Sequence, residues 1–208
     1  MRLRIRITPG AILLVAVLAF EKRELFIATV IAAAFHECGH LFAARRLGIR
    51  LRLLEIDVMG AKLYPATALP SYRAEAILAA AGPLFSLLLA APFFHTVLPF
   101  FVFLRNATLS FALLNLFPIE GFDGGRMLSA LICAVFGERV ATRALFVTTY
   151  LSLLLLFSIS ACLLLRYGED ASLTVFCASL FARLFLFLDT PARVRGGAKH
   201  KKRGFERI

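Results

Sequence analysis

The sequence contains no tryptophan and only four tyrosines, so an interfacial aromatic belt would be thin. Acidic residues are also scarce, 13 among 208, which leaves few carboxylates to consider for any buried site. The four cysteines, Cys38, Cys133, Cys162 and Cys177, form no C-x-x-C pair, and all lie in apolar stretches. This argues against a disulfide framework and against a cysteine-type metal site. It predicts small buried hydrophobes instead. Internal repeats and low-complexity linkers are absent. A cleavable leader is not expected either: Arg2, Arg4 and Arg6 precede the apolar run 11–20, but no small-x-small site follows it. That run reads as a short anchor that is retained.

Apolar residues are what the chain has in excess. It is 60% hydrophobic with a mean hydropathy of +0.82, whereas soluble domains are about 45–50% apolar. Six stretches approach the roughly 20 residues needed to cross a bilayer: 7–20, 25–44, 74–94, 97–117, 144–165 and 172–188. Gly82-Pro83, Arg105 and Arg183 interrupt three of them, and such residues face protein or a cavity. The expected fold is an all-α polytopic membrane protein. Residues 1–192 form its membrane domain, with a core at 25–130, and 193–208 form a basic cytoplasmic tail.

The net charge of +11 could suggest nucleic acid, but its distribution does not. With a cytoplasmic N-terminus, nineteen of the 24 basic residues fall on the cytoplasmic side. They lie in 2–6, 45–73, 126–143 and the tail. Only Lys22, Arg23 and Arg166 fall opposite. This is a positive-inside pattern. It places both termini in the cytoplasm of a multi-pass cell-membrane protein, with the lipid bilayer and not nucleic acid as partner. Residues 49–64 differ from the spans: apolar residues alternate at 49, 51 and 53, then at 54, 56 and 58 after a one-residue slip. The pattern predicts a small membrane-associated β-hairpin after the second span, with Gly60 at its turn.

The chemistry centres on His36-Glu37-Cys38-Gly39-His40. Positions i and i+4 share a helix face, so His36 and His40 can bind one Zn²⁺. Glu37 lies beside them and can act as general base. Two His and a Glu in an apolar helix are costly and point to function. A catalytic zinc site needs a third protein ligand. Asp123 is the candidate, in N-L-F-P-I-E-G-F-D-G-G-R from Asn115, with Glu120 competing for the role and helix capping as the alternative for Asp123. Pro118 ends the preceding helix, and the glycines permit irregular backbone beside a cavity. Asn115 could orient substrate. The small residues around Gly82-Pro83 read as helix packing. His95 and His200 lack partners at ligand spacing.

Together these motifs resemble the site-2 protease family of intramembrane metalloproteases. The six-span layout and small size resemble the branch containing stage IV sporulation protein FB. Phe122 stands where the family usually has Leu, and Ser86 where many members have Asn. The resemblance implies His36, His40 and Asp123 as zinc ligands and Glu37 as general base. It implies a membrane-tethered substrate, such as a pro-sigma factor in sporulation, and a membrane-protein inhibitor as partner. Two other classes stay open. A zinc transporter would line a path with the same residues. A prenyl-protein endoprotease would take Glu120 or Glu138 as its third ligand.

Overall fold

The computed structural model describes residues 4–8, 12, 23–57, 60–66 and 71–167. The chain divides into two compact units, residues 1–152 and 153–208. The first expected span, except its beginning, lies outside the described residues, as do the sixth span and the basic tail.

Helix α1 (Arg23–Arg46) is apolar through its middle, with Glu24 in its first turn and Arg45 and Arg46 in its last. These charges complement the helix dipole. Its 24 residues reach about 36 Å at 1.5 Å per residue, enough for a hydrocarbon core of about 30 Å. The chain leaves it through an Ile49 N–H bond to the Ala44 carbonyl. Helix α2 (Tyr72–Ala90) begins at Ser71, whose hydroxyl accepts from the Ala74 N–H. It continues into a 3₁₀ turn at Ala91–Phe93. Helix α3 (Pro99–Leu116) starts on a proline and stops where Pro118 forces Phe117 into extended backbone. Helices α4 (Asp123–Phe136) and α5 (Glu138–Tyr167) follow, separated by Gly137. Among the described residues, α1, α2 with its 3₁₀ turn, α3 and α5 are long and apolar enough to cross a membrane.

The described residues account for four of the six expected spans. Four described helices qualify as spans, and α4, at 14 residues, is an additional helix too short to be one. A strand precedes the expected first span and ends at its first residue, Ile7. β1 (Arg4–Ile7) pairs parallel with β2 (Leu51–Asp57), which pairs antiparallel with β3 (Gly60–Pro65). The expected hairpin is thus two strands of a three-stranded sheet, ordered β1-β2-β3. Gly60 begins β3 opposite Asp57 and does not form the turn itself. The slip in alternation corresponds to a register shift between Leu51 and Leu53, slightly earlier than the pattern suggested.

Helix α2 lies at the centre and packs against α1, α3 and α4. The interfaces are built mainly from small residues, including Ala28, Ala32, Ala44, Ala79, Ala112 and Ala130, all buried. Large apolar side chains such as Val30, Leu84, Leu88 and Leu113 point outward. Small residues inside and large ones outside suit a lipid solvent, where close backbone approach replaces hydrophobic exclusion. Cys38 and Cys162 are exposed and Cys133 is half-buried, so they are not the buried hydrophobes expected.

Candidate metal centre

Helix α1 carries His36 and His40 one turn apart on its buried face. Asp123 is the first residue of α4, and its side chain is buried with them. The Nε2 atoms of His36 and His40 each lie 3.1 Å from the same atom, Asp123 Oδ2. One ligand atom from each residue falls within 4.8 Å of the others. Glu120 and Glu138 are not part of this cluster, and Asp123 is not a helix cap: the N-cap position is Phe122.

Supporting bonds orient the ligands. His40 Nδ1 donates to the Leu78 carbonyl at 2.8 Å. A carbonyl only accepts, so the proton sits on Nδ1, and a neutral His40 presents a lone pair from Nε2. That lone pair faces a carboxylate oxygen in a buried pocket, an arrangement that a proton or a metal ion held between them would satisfy. Tetrahedral coordination at about 2.0–2.2 Å would put donor atoms about 3.3–3.6 Å apart, close to the spacing found. His36 Nδ1 is 3.0 Å from Ser86 Oγ. Arg126 Nη1 stands 3.6 Å from the other carboxylate oxygen, Asp123 Oδ1. Two imidazoles and one carboxylate form a donor set suited to a transition metal or zinc.

The glycines explain why the groups can meet. A Cβ on Gly82 would fall onto the Nε2 atoms of both His36 and His40. Gly82 therefore leaves room at the ligand atoms, a role beyond the packing expected from the sequence. A Cβ on Gly124 would strike the Leu116 and Phe117 carbonyls, and one on Gly125 the Ile119 carbonyl. The loop 117–122 therefore folds tightly over the first turn of α4, and the D-G-G sequence permits it. The buried Thr149 hydroxyl of α5 accepts the Glu120 N–H at 2.9 Å and tethers the same loop.

Glu37 is half-buried on α1, with its Oε2 shielded from solvent. Asn115 is half-buried near the end of α3, where its Nδ2 donates to the Phe111 carbonyl of its own helix at 3.0 Å. His95 lies in the loop between the 3₁₀ turn and α3, apart from the three-residue cluster. Sequence reasoning missed Leu78 and Thr149, and noted Ser86 only as a departure from the family's usual Asn. The only signal was the placement of Leu78, Gly82 and Ser86 at four-residue intervals on α2, matching the interval between the histidines.

Comparison with known proteins adds to this geometry. The model for Peptidase family M50 matches residues 94–159, a stretch that holds Asn115 and Asp123 but not His36 or His40. Comparison with curated proteins gives no match. The structure is similar to that of a site-2 protease from Methanocaldococcus jannaschii, with a TM-score of 0.61 and 19% sequence identity. The similarity covers 89% of this chain and 91% of that one. The chain has the fold of that site-2 protease, with a potential metal centre formed by His36, His40 and Asp123.

Proposed function

We propose that this protein is an intramembrane zinc metalloprotease that hydrolyses a peptide bond in or near the membrane segment of a membrane-associated protein. The observation that carries this reading is the convergence of His36, His40 and Asp123 among helices apolar enough to cross a bilayer. The family match over 94–159 and the site-2 protease fold support it. His36, His40 and Asp123 would hold the metal, leaving a fourth position open, as catalysis requires. Zinc bound there supplies the Lewis acidity that polarises a scissile carbonyl and makes water more acidic. Glu37 takes the proton of the attacking water and passes it to the leaving amine. Asn115 orients the substrate backbone, exchanging its bond to Phe111 for one to substrate. Strand β3, at the edge of the sheet, can hold an unwound substrate segment by strand addition.

The substrate class suggested by the family resemblance is a membrane-tethered regulator, a pro-sigma factor of spore formation being one example. The test is co-expression with a membrane-tethered substrate beside a Glu37→Gln variant. The variant should retain zinc, because both imidazoles are unchanged. Its cleavage should fall by at least roughly 10²–10⁴-fold, the usual contribution of general acid–base catalysis. A Glu37→Gln protein that loads zinc and cuts at the parental rate would remove Glu37 from the mechanism.

A further inference from the structure

We propose that Ser86 is a positioning residue that holds His36 in its metal-binding tautomer and thereby sets the metal affinity of the centre. This rests on the metal-site reading above. Helices α1 and α2 run antiparallel at the site, so His40 meets Leu78 and His36 meets Ser86. Gly82 lies between these two contacts and clears the space for the Nε2 atoms. Residues 78, 82 and 86 form one stripe along α2, two turns long, matched to the single turn between the histidines.

The two contacts differ chemically. Binding a metal through Nε2 requires the imidazole proton on Nδ1. The Leu78 carbonyl enforces this for His40, because it can only accept. A serine hydroxyl can accept from Nδ1 or donate to it. When Ser86 accepts, His36 Nε2 is free for the metal. When it donates, Nε2 carries the proton, facing Asp123 Oδ2 at 3.1 Å, and that ligand position is closed. Ser86 is 0% exposed, so bulk water does not compete for the contact. Without the hydroxyl, the ring loses this acceptor and one restraint on its rotation.

The experiment measures zinc affinity of the full chain in detergent by competition with a chromophoric chelator. Wild type, Ser86→Ala, Ser86→Thr and His36→Ala are compared, with thermal unfolding of the metal-free forms as a check on folding. Ser86→Ala should bind zinc about 10–100-fold more weakly, the usual effect of losing an outer-shell partner. Ser86→Thr restores the acceptor and should return affinity to within a few-fold of wild type. Cobalt(II) absorption should change in the alanine variant and recover with threonine, a signature that loss of packing alone would not produce. Unchanged affinity in Ser86→Ala, with zinc lost in His36→Ala, would overturn the role of Ser86 and leave the metal site standing. Unchanged affinity in His36→Ala would overturn the metal site itself. If the alanine variant does not fold, the isosteric pair Ser86→Thr and Ser86→Val carries the comparison, and equal affinity in that pair overturns the proposal.

Discussion

Gly82 tests the centre at the scale of a single residue. Alanine is the better helix former by about 1 kcal/mol, so propensity alone favours Gly82→Ala. The added Cβ nevertheless falls on the Nε2 atoms of His36 and His40. We expect the variant to remain folded, to load less zinc and to cut at least about 100-fold more slowly, as expected when a catalytic group is displaced by about 1 Å. Metal analysis and cleavage of a co-expressed substrate measure this. Asp123→Ala should likewise lose zinc. Undiminished zinc there would transfer the third ligand role to Glu120. The grouping of His36, His40 and Asp123 was legible in the sequence because polar groups are conspicuous in an apolar chain and their types and spacing fit a metal. Gly82 and Ser86 were not, because a glycine and a serine acquire their roles only from the helix packed against them.

At the scale of elements, placing Asp123 depends on the turn between α3 and α4. Pro118 ends α3, the carbonyls of residues 116, 117 and 119 lie against Gly124 and Gly125, and Thr149 accepts the Glu120 N–H. Thr149→Val keeps the shape of the side chain and removes the acceptor. The resulting buried amide should cost about 1–3 kcal/mol, visible as a lower unfolding temperature in detergent. An unchanged unfolding temperature would show that the tether does not hold the loop. The sequence signalled this irregular turn through its proline and glycines. It did not signal α4, because hydropathy over a bilayer-length window is insensitive to a 14-residue helix. Strand β1 was hidden for a related reason. Four residues beside an apolar run carry no strand pattern of their own, and parallel pairing with β2 is a long-range event.

At the scale of the whole molecule, contacts among the described residues bring several of the basic residues to one end. Arg45 and Arg46 end α1, and β2 begins five residues later. Parallel pairing of β1 with β2 brings Arg4 and Arg6 to this end. The Tyr72 hydroxyl lies 3.4 Å from Glu138 Oε1, so α2 and α5 begin at the same level, with Arg73, Arg139 and Arg143 beside them. Arg23 lies at the opposite end of α1, about 36 Å away along the helix. The hydropathy map and the contacts therefore group these residues in the same way on independent grounds. We propose, on the positive-inside rule, that the basic end faces the cytoplasm. Reporter fusions after Ala66 and after Ile208 should both report the cytoplasm, whereas fusions after Arg23 and after His95 should report the opposite side. Fusions at Arg23 and Ala66 that report the same side would mean that α1 does not cross the bilayer. His36 and His40 would then lie outside the membrane, and the enzyme would have to take its substrate from water.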